Sequence, residues 1–293
     1  MSDFTEVGDR CWTARQDWFD VNVSVVAGAA GLLVVDTFAS AAGARRVLEE
    51  VRRLADRLGG LPLLAAANTH VHFDHTFGND TFAAAGADLL CHEDAAAALP
   101  QHADEIRRQA ADEIDDDPRH AELVSTDPVV PGRTFSSALV LDLGDRPVEL
   151  VHPGRGHTGG DAVVRVPDAD VVFAGDLVEE GARSGAPGAV PGLGDDCFPL
   201  EWPGTLDTLV GMLTGRTVVV PGHGSPVDRD FVALQRLELG QVAQTIADLA
   251  GRGVPEEQAL RATDWPYPRE QLASAVRRGY AQLPSGGRRL PMA

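Results

Sequence analysis

Thr69-His70-Val71-His72-Phe73-Asp74-His75 closes the apolar run Leu61-Pro62-Leu63-Leu64-Ala65-Ala66-Ala67 and sets three imidazoles and a carboxylate within six residues. That mixture of side chains so closely spaced has few uses other than holding metal. Zinc accepts both imidazole nitrogen and carboxylate oxygen, and a site that lacks thiolate and keeps a position open for water is usually a catalytic one. Four ligands this close together cannot close two metal sites. Further His and Asp residues are therefore expected downstream, again at the ends of strands.

Upstream of the histidine run, Val23 to Val26 and Leu32 to Val35 flank the Gly28-Ala29-Ala30-Gly31 break as two strands of a hairpin. Ser40 reads as a helix N-cap. Val47, Leu48, Val51, Leu54, Ala55 and Leu58 then recur at helical spacing until Gly59-Gly60 ends the pattern. A strand at 63–67, a helical stretch near 79–86, a short strand at Leu89-Leu90-Cys91 and a charged, alanine-rich helical region over 93–120 follow. Short strands resume at Leu139–Leu143, Val148–Val151, Ala162–Val166, Val171–Ala174 and Thr217–Val220. The alternation of strand and helix points to an α/β fold. After Pro226, two amphipathic helices are expected, one through Phe231, Leu234, Val242, Ile246 and Leu249 and one from Pro268 through Leu272, Val276, Tyr280 and Leu283.

The expected downstream ligands are present. His157 lies in Gly156-His157-Thr158-Gly159-Gly160 after a strand, Asp176 follows Val171-Val172-Phe173-Ala174-Gly175, and His223 follows Val218-Val219-Val220-Pro221-Gly222. Each ends an apolar run and has a glycine beside it, which lets the backbone turn sharply and approach a metal. Asp36, at the end of the strand Leu32–Val35, either braces the metal loop from behind its ligands or simply caps its strand. Asp161 reads as a structural cap.

Taken together, HxHxDH at His70, His72, Asp74 and His75, GHT at His157, GD at Asp176 and PGH at His223 resemble the metallo-β-lactamase superfamily over roughly residues 12 to 227. The resemblance implies a four-layer αββα sandwich as residues 1–227, followed by a helical C-terminal extension as residues 228–293. It implies one metal held by His70, His72 and His157 and a second held by Asp74, His75 and His223, with Asp176 bridging both. Two zinc ions per chain are the expected cofactors, iron or manganese being the alternatives. With that ligand count a water shared by metals about 3.5–4 Å apart loses its proton near neutral pH and serves as the nucleophile. Asp74 orients it.

Departures from other branches of the family narrow the chemistry. Broad-spectrum lactamases of the family carry Cys where Asp176 stands or replace the bridging acid with Ser, whereas thioesterase, lactonase and related hydrolase branches share the acid. The reading is thus a hydrolase of an ester, thioester, lactone or similar acyl bond in a small molecule. The alternative is a mononuclear iron oxidoreductase like the sulfur dioxygenases; a β-lactamase and a nuclease rank below both.

Composition agrees. The net charge of −19 disfavours nucleic acid and anionic membrane as partners and favours small molecules or proteins. All 25 basic residues are arginine, so no lysine is present to form a Schiff base, a P-loop contact or a clamp on a substrate carboxylate. Cys11, Cys91 and Cys197 are far apart and suggest neither disulfide nor thiolate site, and the amino terminus reads as neither signal nor membrane span, so a cytoplasmic location is expected. The GxGxxG at Gly154–Gly159 is followed by a predicted strand where a dinucleotide fingerprint needs a helix. His92, His102, His120 and His152 match no motif and read as ordinary surface or core histidines. The long Gly- and Pro-rich stretch from Leu177 to Pro203, with Glu179, Glu180, Phe198 and Trp202, is expected to wall the substrate pocket. The helical tail either covers that pocket or mediates homo-oligomerisation.

Overall fold

A computed structural model describes residues 4–180 and 190–283. The first half runs β1 (Thr5–Gly8), β2 (Cys11–Arg15), β3 (Asn22–Ala27), β4 (Leu32–Val35), α1 (Ala41–Arg57), β5 (Leu63–Ala67), α2 (Phe73–Thr76), α3 (Asn79–Ala84), β6 (Asp88–His92), α4 (Glu93–Asp112), α5 (His120–Val124) and β7 (Arg133–Phe135). Its strands form one sheet in sequential order, antiparallel from β1 to β4 and parallel from β4 to β7. The second half runs β8 (Ala138–Asp142), β9 (Pro147–Val151), β10 (Val163–Val166), β11 (Val171–Glu179), α6 (Trp202–Met212), β12 (Val218–His223), α7 (Arg229–Gly251), α8 (Glu256–Ala259) and α9 (Ala273–Gln282). Its sheet has the order β12-β11-β10-β9-β8.

Burial explains the layering. Strands buried on both faces read as continuous apolar runs, and β3, β4 and β11 are buried throughout. Leu33, Val35, Ala65, Leu90, Leu150 and Phe173 interdigitate between the two sheets. On the outer face of the first sheet, Val47, Val51 and Leu54 of α1 pack with Val23, Val25 and Phe82. On the outer face of the second, Leu206 and Leu209 of α6 and Leu239, Val242 and Ile246 of α7 pack with Val172, Ala174 and Val219. The result is the α/β/β/α sandwich anticipated from the motifs, with α7 to α9 completing the layer over the second sheet.

Differences from the sequence reading are local. The helical region expected over 93–120 is α4 to residue 112, then turns, then α5. Residues 177–179 extend β11, and Trp202 opens α6 instead of ending a loop. Within 177–203, residues 181–189 lie outside the described residues. Among the described residues no helix is long and apolar enough to cross a membrane.

The core role of α7 is testable in its two faces. Leu239 is fully buried whereas Leu237 is 56% exposed. Leu239→Ala should cost about 2–5 kcal/mol in denaturant unfolding, from lost burial plus the cavity left behind. Leu237→Ala should stay within about 0.5 kcal/mol.

Candidate metal centre

β9 and β11 are both antiparallel to β10, and β12 is parallel to β11, so β9, β11 and β12 share a direction. His157 follows β9, Asp176 lies within β11 and His223 ends β12. His70 follows β5, His72 caps the N-terminus of the one-turn helix α2, and Asp74 and His75 sit inside that helix. Thr76 Oγ1 fastens the turn by donating to the carbonyls of Val71 and His72. Two glycines permit the close approach of β11. Gly175 has φ +53, and a Cβ there would lie 2.6 Å from Thr69 Cβ; a Cβ on Gly222 would lie 1.8 Å from Asp176 Oδ1.

Each imidazole is held by its outer nitrogen. His75 Nδ1 bonds Asp36 Oδ2 at 2.8 Å, His157 Nδ1 bonds the Gly192 carbonyl at 2.8 Å, and His223 Nδ1 bonds the Phe19 carbonyl at 2.9 Å. His72 Nε2 bonds Asp196 Oδ2 at 2.9 Å, and His70 Nδ1 lies 3.1 Å from Thr69 Oγ1. This is the outer support that metal-binding histidines need, because it fixes both ring orientation and tautomer. Asp36 does more than cap its strand: it also accepts from Thr69 N and Oγ1, joining the two ends of the histidine run. Asp161 closes the turn around His157 by accepting from Gly156 N, Thr158 N and Thr158 Oγ1. Burial pushes its carboxyl up to about 7, against the pull of the Thr158 donors.

The inner nitrogens converge. Asp176 Oδ1 is 3.2 Å from His75 Nε2, while its Oδ2 is 3.3 Å from His157 Nε2, 3.2 Å from His223 Nε2 and 3.8 Å from His70 Nε2. Asp74 Oδ2 is 3.3 Å from His223 Nε2, and His157 Nε2 is 2.8 Å from His72 Nδ1. His70, His72, His157 and Asp176 form one group of mutually close ligand atoms, and Asp74, His75 and His223 form another. All seven sequence candidates are thus brought together.

Electrostatics at the site pull in two directions. Burial opposes charge on His75 and His223, yet the surrounding carboxylates prevail: His75 is raised well above its ordinary value by Asp176, Asp36 and Asp74, and His223 rises to about 10 through Asp176 and Asp74. His70 is driven the other way, by burial and then by the neighbouring His75 charge. Its Nε2 is buried with no hydrogen-bond partner among the described residues. An orphan imidazole nitrogen aimed at a carboxylate shared by other rings fits a metal ion, and the donor set of imidazole and carboxylate fits zinc. Burial pushes the Cys197 thiol up to about 12, and among the described residues no cysteine belongs to either group of ligand atoms.

A cavity of about 920 Å³ opens over Asp74, His72 and His223. Its walls come from the β2–β3 loop, α4 and the segment Gly194–Asp196. That segment belongs to the stretch expected to wall the pocket, but Trp202 does not line the cavity. Trp202 is fully buried with its ring 5.7 Å from that of His157, and its Nε1 donates to the Leu177 carbonyl. His102 departs from its reading as an ordinary histidine, because it lines the cavity and stacks on His72 at 5.1 Å. His92 and His152 instead stack on each other away from the ligands, each bonded to a backbone carbonyl. Sequence reasoning missed Asp196, which no motif marks.

Residues 16–224 match the family model described as the metallo-beta-lactamase superfamily. The chain belongs to the metallo-β-lactamase superfamily. Among curated members, it is 31% identical over 168 residues to "Acyl-coenzyme A thioesterase MBLAC2" of Gallus gallus, covering 55% of this chain and 58% of that protein. It is 33% identical over 105 residues to "Metallo-beta-lactamase type 2" of Bacillus cereus, covering 36% of this chain and 39% of that one. The chain therefore spans about half the length of the curated relatives it matches. The metallo-β-lactamase fold is shared with a solved metallo-beta-lactamase from Pontibacter korlensis at 20% identity, with a TM-score of 0.60 and coverage of 82% of this chain and 99% of that one.

Two measurements test this superfamily site. The carboxylates around His75 and His223 shift both rings towards the protonated form, so metal loading should release protons, read by calorimetry in buffers of differing ionisation enthalpy. Loading without proton release would contradict that shift. Asp36→Asn should weaken metal binding by roughly 10–100-fold in chelator competition, because it slackens the hold on His75.

Proposed function

We propose that this chain is a dinuclear zinc hydrolase that cleaves an ester, thioester, lactone or related acyl bond of a small molecule. The observation that carries the reading is the Asp176 carboxylate, one oxygen against His75 and the other against His157 and His223. In the proposed assignment His70, His72 and His157 hold one ion, Asp74, His75 and His223 hold the second, and Asp176 serves both. Such a pair of ions supplies Lewis-acid polarisation of an acyl oxygen and activation of water near neutral pH.

The chain's own groups do the positioning. Asp74 borders the cavity, where its carboxylate orients the attacking water. Water is the co-reactant: its oxygen forms the new bond to the acyl carbon, the bond to the alcohol or thiol breaks, and the leaving group takes a proton. Asp196 aligns His72 from outside, and α9 supports that segment through Ser274 and Arg277 on Asp195 and Arg278 on the Cys197 carbonyl. The proposed division into a site-bearing unit, 1–227, and a helical extension, 228–293, gives the extension this bracing role. The thioesterase relative supports the thioester arm of the reading, and the carboxylate at 176 supports hydrolysis of acyl bonds in general.

Metal analysis and an oxygen electrode separate this reading from a mononuclear iron oxidoreductase. Two zinc ions per chain and oxygen-independent turnover of a thioester, lactone or aryl ester are expected; one iron with oxygen consumption would overturn the proposal. Asp176→Ala should lose metal and lower kcat on the order of 100-fold or more.

A further inference from the structure

Beside the proposed ligands, the cavity wall carries several carboxylates and aromatic residues. Asp17, Asp20, Glu105 and Asp195 line it together with the rings of Phe19 and Phe73, and among the described residues no arginine lines it. Asp20 is engaged by Arg15, and Asp195 by Arg277. Asp17 and Glu105 have no ion-pair partner among the described residues, and Glu105 accepts only an amide hydrogen bond from Gln101 at 2.9 Å. The chain has no lysine at all to approach from elsewhere.

The aromatic part of the wall is fixed in place. Phe19 and Phe73 meet edge to face at 4.8 Å. Phe19 and Asp20 both adopt left-handed backbone, at φ 62 and φ 58, which is uncommon for such residues and persists where the surroundings enforce it. The Phe19 carbonyl in this turn accepts from His223 Nδ1. The ring is thereby tied to the site itself. Carboxylates beside aromatic faces stabilise a cation by charge and by the ring quadrupole, and they repel carboxylate and phosphate.

We infer that the substrate is an acyl compound carrying a positively charged amine or quaternary ammonium several bonds from the scissile bond, received between Asp17, Glu105 and the Phe19–Phe73 pair. This rests on the hydrolase reading and specifies its substrate class. It also separates this chain from acyl carriers that bear phosphates, whose anionic arm would meet carboxylates along the same wall.

The test is a series of thioesters with a common scissile group, capped at either the acyl or the thiol end by trimethylammonium, by the isosteric and neutral tert-butyl group, or by carboxylate. For the metal-loaded enzyme, kcat/KM should favour the cationic cap over the neutral one by roughly tenfold at low salt, and the preference should shrink at high salt. The carboxylate cap should fall below the neutral one. Glu105→Gln combined with Asp17→Asn should bring the cation-to-neutral ratio towards one. Calorimetric binding of the corresponding non-hydrolysable amides gives the same ranking without turnover. Preference for the carboxylate cap in either experiment would overturn the inference while leaving the hydrolase reading intact. Absence of hydrolysis across the whole series, with the cationic amide still bound most tightly, would overturn the hydrolase reading and leave the charge preference standing.

Discussion

A buried carboxylate shared between imidazoles from both sheets is the constraint on which the rest of this molecule depends. Asp176 is 1% exposed, and an ionised carboxylate taken that far from water is very costly unless cationic or hydrogen-bonding partners replace its hydration. The chain gathers those partners from sequence positions far apart: the turn after β5, the turn after β9 and the end of β12. Their meeting requires the two sheets to pack with their rims aligned. The interior side chains between the sheets, Leu33, Ala65, Leu150 and Phe173 among them, therefore set the geometry of the site as well as the stability of the fold.

The second requirement is orientation. Five rings with two nitrogens each could meet in many ways, and outer bonds to Asp36, Gly192, Phe19, Asp196 and Thr69 select one. Two of these supports are backbone carbonyls, held by their own loops. Gly192 in turn donates to Glu179 Oε1 at 2.6 Å, so the end of β11 fixes the carbonyl that fixes His157. Support thus propagates outward from the converging side chains into the strands and, through Asp195 and Cys197, into α9.

The seven converging residues were legible because each lies in a short motif at a strand end, four of them in one dense run and the other three with a glycine beside them, a pattern that survives without knowledge of tertiary contacts. The helices were legible where their apolar periodicity was strong, as in α1 and α7. Asp196 was not, because a carboxylate in a polar loop looks the same whether it faces solvent or a histidine 124 residues away. The same applies to Asp17 and Glu105, which reach one cavity from a loop and a helix. Trp202 was misread for a different reason. Pro203 and Gly204 look like loop punctuation, yet proline is well tolerated in the first turn of a helix, and Leu206 and Leu209 continue it. The tryptophan therefore packs against His157 instead of lining the cavity.

X-ray absorption at the zinc edge of the loaded protein tests the central claim most directly. The account predicts nitrogen and oxygen scatterers only, together with a metal–metal vector of about 3.5–4 Å that disappears in Asp176→Ala. A first shell containing sulfur, or a spectrum of isolated zinc with no metal–metal vector at full loading, would contradict it.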